Sequence, residues 1–184
     1  MEQYKPIKFL ENKRVYLRPI EDKDVDAFFF QSLWDSEFRR LTGTKAVFTR
    51  SAVQKHFETI ASDSSRIDLI ICLQENDQPI GDIAMMDIDH QNRNAIVRIG
   101  IFEQNMWGKG LGTEAMSSLL EYGFQMLNLY RVGLDVFSYN KRGMKAYEKL
   151  GFKQEGTIRG ALFYNGEYHD SILMGVLKEE FVKV

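Results

Sequence analysis

Trp107-Gly108-Lys109-Gly110-Leu111-Gly112-Thr113-Glu114-Ala115 places a glycine at every second position between an apolar run and a helical pattern. Glycine lets the backbone turn tightly and approach a ligand closely. The first amides of a helix lack intrahelical acceptors, and the helix dipole favours an anion beside them. The fitting guest is a phosphate or pyrophosphate. The same glycines would also serve a tight turn with no ligand. A second group follows, in which Asn140 ends a strand-like run and Tyr147 comes seven residues later, two helical turns on and on the same side. Taken alone, these two also read as an N-cap asparagine and a half-buried tyrosine.

Several phosphate sites are excluded. A P-loop needs Gly-Lys-Ser/Thr after four spacers, and that is missing. A dinucleotide fingerprint needs G-x-G-x-x-G in a first βαβ unit, whereas the spacing here is G-x-G-x-G and three strands precede the one that leads into it. A kinase glycine loop is a hairpin and not a strand-to-helix turn.

The elements that must hold these groups follow from periodicity. Arg14 to Ile20 alternates and reads as a first strand. Asp22 or Asp24 caps a helix over 23–35 that buries Val25, Phe28, Phe29, Leu33 and Trp34. A looser region with Gly43 runs from Arg39 to Phe48, and Thr49 or Ser51 then starts a second helix through about Ser62. Ile67–Gln74 and Ile80–Ile88 form a hairpin around Asn76-Asp77-Gln78-Pro79, and residues 94–102 are the fourth strand. The glycine loop opens a helix from about Lys109 to Met126. A fifth strand spans Arg131–Phe137 and a helix spans Lys141–Leu150, ended by Gly151. A last hairpin turns at Asn165-Gly166, between Phe152–Phe163 and Tyr168–Leu177. This predicts one domain over 1–184 of α+β (mixed α/β) class, with a largely antiparallel sheet of about seven strands.

Composition bounds the partners. The 184 residues are 44% hydrophobic and 27% charged, with a net charge of −2, an ordinary globular balance. Nothing in it attracts nucleic acid or an anionic membrane in bulk. No run approaches the roughly 18 apolar residues of a membrane span, and no signal-peptide pattern opens the chain, so a cytoplasmic location is expected. The single cysteine, Cys72, sits in an apolar run and reads as core. His56, His90 and His169 lack metal-ligand spacing, so no metal is expected.

Together the two constellations resemble the GNAT superfamily of N-acetyltransferases. Its Arg/Gln-x-x-Gly-x-Gly/Ala signature maps onto Trp107, Gly110 and Gly112, with tryptophan in place of Arg or Gln. Its Asn-x6-Tyr-x3-Gly-Phe element maps onto Asn140, Tyr147, Gly151 and Phe152. Trp107, Leu17-Arg18-Pro19 and Phe163-Tyr164-Asn165-Gly166-Glu167-Tyr168 resemble the branch of ribosomal-protein alanine and spermidine N-acetyltransferases.

The resemblance implies helices on both faces of the sheet, splayed fourth and fifth strands, and acetyl-CoA as cosubstrate. The amides of Gly108, Lys109, Gly110, Gly112 and Thr113, beside Trp107, would hold the pyrophosphate. The strand edge at Ile101, Phe102 and Glu103 would pair with the pantetheine arm, and Asn140 would bond to it. Tyr147 would protonate or hydrogen-bond the leaving thiolate. Where relatives place a glutamate base before Ile-Gly, this chain has Arg98, which cannot be a base at neutral pH. Glu103 is the candidate carried forward, with Asp87, His90 and a water chain as alternatives. Phe29, Trp34, Asp87 and Tyr164 would shape the acceptor site, with Phe28 and Phe163 nearby.

The implied reaction is acetyl transfer to a primary amine of a small molecule: a polyamine, amino acid or antibiotic-like amine. A protein N-terminus as acceptor, and a non-catalytic CoA sensor, are the competing readings. Relatives are often dimers, so the resemblance also implies a homodimer.

Overall fold

The computed structural model describes residues 6–32 and 35–184. Eight strands form one sheet: β1 (Leu10–Glu11), β2 (Val15–Pro19), β3 (Ile67–Leu73), β4 (Pro79–Asp89), β5 (Asn94–Ile101), β6 (Arg131–Phe137), β7 (Lys153–Tyr164) and β8 (Glu167–Leu177), in spatial order β1-β2-β3-β4-β5-β6-β8-β7. Every neighbouring pair is antiparallel except β5 and β6, which are parallel. The strand beyond the expected set is β1, two residues long and too short to carry an alternating pattern.

Five α-helices accompany the sheet among the described residues: α1 (Asp24–Ala27), α2 (Ser36–Thr42), α3 (Arg50–Ala61), α4 (Leu111–Gln125) and α5 (Lys141–Glu148). None is long and apolar enough to cross a membrane. The helix expected over 23–35 is instead α1 followed by a π-helical turn, Phe28–Ser32. Leu33 and Trp34 lie outside the described residues. The region read as loose begins inside α2, whose N-cap Asp35 accepts from Phe38 N–H at 2.7 Å and whose C-cap Gly43 is left-handed.

Strand alternation divides the core into two layers. Leu69, Ile71 and Leu73 of β3 join Ala115, Met116, Leu119 and Leu120 of α4 in the larger cluster. Ile70 and Cys72, between them in sequence, face the other way beside Tyr16. On that second side, Val25 of α1 packs with Val53, Phe57 and Ile60 of α3. Burial pushes the Cys72 thiol pKa up, as expected of a core cysteine. The end of β2 is tied to α1 by Arg18, whose guanidinium grips both oxygens of Asp24 at 2.6 and 2.7 Å with both side chains buried.

β5 and β6 pair only at Asn94–Ile96 against Arg131–Gly133. Opposite the same stretch of β5, β4 carries a bulge between Met86 and Asp89, with Asp87 left-handed. A bulge sharpens local twist and bends its strand. Beyond it β5 and β6 diverge, and the gap between them opens towards the N-termini of α4 and α5.

Candidate active site

The glycine loop reaches this gap because two of its residues adopt backbone angles that side chains resist. Gly108 and Gly110 have φ of 73° and 82°. Gly110 is the N-cap of α4, so the helix starts at Leu111 rather than at Lys109. No side chain caps it, although α2, α3 and α5 are capped by Asp35, Thr49 and Asn140. The first intrahelical bond runs from Glu114 N–H to Gly110 O, so the amides of Leu111, Gly112 and Thr113 have no partner within the helix. Arg14 fixes the loop from outside: its Nη1 donates to Lys109 O at 2.9 Å and its Nε to Glu114 Oε2 at 2.8 Å. A carbonyl and the following N–H point in opposite directions, so turning Lys109 O outward turns the Gly110 amide away from Arg14.

Trp107 has a role that its position in the motif does not reveal. Its indole Nε1 donates to Ile101 O at 2.8 Å, fastening the loop to the end of β5. The Arg142 guanidinium lies over the same ring, 4.2 Å from its centroid, and so links the loop to α5.

A cleft of about 870 Å³ occupies the gap. Of the expected residues, Ile101, Trp107, Gly108, Gly110, Gly112, Thr113, Asn140 and Tyr147 line it together. Asn140 Oδ1 is engaged with Gly143 N–H at 2.9 Å, which leaves its Nδ2 to offer a ligand. Tyr147 is half-buried against Phe152, with ring centroids 6.0 Å apart. Burial, reinforced by the nearby Asp135 carboxylate, pushes its phenol up to about 12, with Arg142 acting in the opposite direction.

Other expected residues are elsewhere. Lys109 is exposed and its carbonyl turns out to Arg14. Phe102 N–H is spent on Ile80 O, and its buried ring packs edge-on against Phe28 and Phe38 on the face opposite α4. Because strand peptides alternate, that bond turns the N–H groups of Ile99 and Ile101 towards the gap. The strand edge open to a ligand is therefore Ile99 to Ile101, not Ile101 to Glu103. Glu103 flanks a 3₁₀ turn, Gln104–Met106, and is not among the cleft residues. Asp87 and His90 are exposed, at the bulge and in the turn after it. Phe29 packs against the α1–α3 cluster, and Tyr164 lies at the tip of the β7–β8 hairpin. Phe28, Phe38, Leu41, Thr42 and Thr44 line the cleft instead.

Two groups were missed from sequence. Lys141, Arg142, Lys145 and Lys149 give the α5 side of the cleft a strong positive charge. Their signal was available, because Lys141, Lys145 and Lys149 recur every four residues on one helix face. The second is Asp82 of β4, which pairs with Arg98, while Arg98 also reaches Asp68 at 3.4 Å. No spacing rule joins residues that meet only across strands. Among the described residues no group of three or more metal-ligating side chains converges.

Comparison with known proteins agrees with this geometry. The family model for the acetyltransferase (GNAT) domain matches residues 14–153. The chain is 29% identical to the SPbeta prophage-derived uncharacterized N-acetyltransferase YokL of Bacillus subtilis (strain 168), over 95% of this chain and 96% of that protein. It is 35% identical to the spermidine N(1)-acetyltransferase of Escherichia coli (strain K12), over 55% of this chain and 54% of that protein. A spermidine N-acetyltransferase from Vibrio cholerae, solved in complex with CoA and spermine, shares the fold with a TM-score of 0.84 at 22% identity, covering 92% of this chain and 98% of that one. A strand-flanked glycine loop, a splayed sheet and a family match over most of the length agree: the chain belongs to the acetyltransferase (GNAT) domain family and is an N-acetyltransferase.

Proposed function

We propose that this enzyme transfers the acetyl group of acetyl-CoA to a primary amine of a small molecule, such as a polyamine, amino acid or antibiotic-like amine, by direct attack on the thioester. The observation that carries this reading is one cleft shared by the uncapped α4 N-terminus, the diverging edge of β5 and the Tyr147 phenol. The amides of Gly110 to Thr113 suit a pyrophosphate, and the α5 cations suit the remaining phosphate charge. The Ile99 and Ile101 amides, facing the gap, suit the amide-bearing pantetheine arm and leave the thioester near Tyr147.

In the transfer, the amine nitrogen bonds to the carbonyl carbon, the carbon–sulfur bond breaks, and sulfur leaves with the electron pair. An alkyl thiol has a pKa of about 8.5, below the value of about 12 for Tyr147. Complete proton transfer from the phenol is therefore uphill, and Tyr147 acts as a hydrogen-bond donor to the sulfur as charge builds on it. An alkylamine starts as its ammonium at neutral pH, so its nitrogen loses two protons overall; one goes to solvent before attack and the other ends on the thiol. The small-amine acceptor is supported by the relatives named for spermidine.

Calorimetry with acetyl-CoA should give a saturable binding signal, and a thiol-release assay over spermidine, amino-acid amides and an alanyl peptide should find an acceptor. Silence in both would overturn the reading, and turnover of the peptide alone would move the acceptor to a protein N-terminus. Gly110→Val should weaken acetyl-CoA binding about tenfold or more, because a left-handed non-glycine residue costs about 1–2 kcal/mol before any clash. Its added Cβ would also meet Arg14 Nη2 at 3.3 Å. Full affinity in that variant would remove the loop from the binding site.

A further inference from the structure

We propose that Asp82 Oδ1 receives the nitrogen of the acceptor amine, an inference that rests on the acetyl-transfer reading above. Asp82 is 4% exposed and lines the cleft. Its Oδ2 pairs with Arg98, yet Oδ1 is buried with no hydrogen-bond partner, alone in this among the side-chain atoms of the described residues. A buried carboxylate oxygen left unpaired costs more than an ordinary unmade hydrogen bond, and native proteins seldom leave one so. A donor from a ligand resolves that cost.

The surroundings fit an amine. In register, Asp82 lies between Ile70 of β3 and Gly100 of β5, on the sheet face opposite α4. Gly100 supplies no side chain at the point where Oδ1 needs room. A Cβ there would fall 3.1 Å from Asp82 Oδ1 and 2.9 Å from the Phe38 ring. Gly100 also sits between Ile99 and Ile101, whose amides face the gap. A thioester held along that edge is thus met by Oδ1 from the other face of the sheet. Arg98 is held in turn by Asp68, itself paired with Arg66 at 2.6 Å, so the network fixes the Asp82 carboxylate in one orientation. An ammonium or amine N–H is the complementary donor. Phe38 and Phe28 are the apolar walls for the carbon atoms beside it.

The test measures the KM of the best amine in the panel, with acetyl-CoA affinity measured separately by calorimetry. Asp82→Asn should raise the amine KM about ten- to hundredfold, the loss of a charge-assisted hydrogen bond, with acetyl-CoA affinity unchanged. Gly100→Ala keeps the Asp82–Arg98 pair but fills the space before Oδ1, so it should raise the amine KM in the same way. If Asp82→Asn does not fold, an unchanged amine KM in Gly100→Ala overturns the proposal by itself. Wild-type amine KM in both folded variants would overturn the proposal. A defect in Asp82→Asn with none in Gly100→Ala would do so too, because the effect would then run through Arg98. If the wild type binds acetyl-CoA yet acetylates no amine, the acetyl-transfer reading itself fails and takes this assignment with it.

Discussion

Tyr147→Phe is expected to lower kcat about 10²–10³-fold, the usual loss when one preorganised donor to a developing charge is removed. Acetyl-CoA affinity should stay close to wild type, because the phenol acts on the sulfur only as the carbon–sulfur bond breaks. The pH profile is an independent check. Burial and Asp135 hold the phenol pKa at about 12 instead of 10. The neutral, donating form is therefore kept through pH 10, and any fall in kcat from loss of this donor belongs near pH 12. A wild-type alkaline loss near pH 10 that disappears in Tyr147→Phe would contradict the assigned environment. Unchanged turnover in the variant would remove Tyr147 from the mechanism.

Asp24→Ala is expected to cost about 3–5 kcal/mol of folding stability, the usual effect of removing one partner from a buried ion pair. Arg18 and Asp24 have side-chain exposures of 4% and 2%, so the guanidinium left behind would have little water to turn to. Asp24 also accepts from Glu21 N–H at 2.8 Å, fixing the turn between β2 and α1. Urea unfolding measures the loss directly, and a shift under 1 kcal/mol would show that the pair is not a keystone. The damage should reach the Phe28 wall of the cleft, because α1 leads into the turn that carries Phe28, whose ring packs on Phe102 at 5.9 Å.

The parts legible in sequence were those with local signals. The β3–β4 and β7–β8 hairpins were readable because alternation and turn residues repeat within a few positions, as at Asn165-Gly166 with φ of 52° and 87°. α2 also carried its signals, an N-cap Asp35 and a left-handed Gly43, but seven residues show too little periodicity to announce a helix. β1 left no pattern at all, because two residues pair only when a neighbouring edge already exists. The turn at Trp107–Thr113 and the uncapped helix start behind it were readable because glycine conformational freedom and helix-end amides are properties of adjacent residues. The Trp107 bond to Ile101 O was not, because an indole can point in several directions until packing selects one.

By itself, the sequence determined the class of fold, the glycine loop before α4 and the placing of Asn140 and Tyr147 towards one cleft. Each depends on interactions within a few residues. The tertiary structure alone decided that β5 and β6 part after Ile96, opposite a bulge in β4. It also moved the strand edge available to a ligand from Ile101–Glu103 to Ile99–Ile101 and left Glu103 away from the cleft. Finally, it brought Asp82 beside Arg98 and Gly100, residues on different strands that no spacing connects. Contacts across a sheet depend on register, and register is set by the cooperative packing of both faces. For that reason the glycine-loop side of the cleft is written along the chain, while the Asp82 side exists only once the sheet has formed.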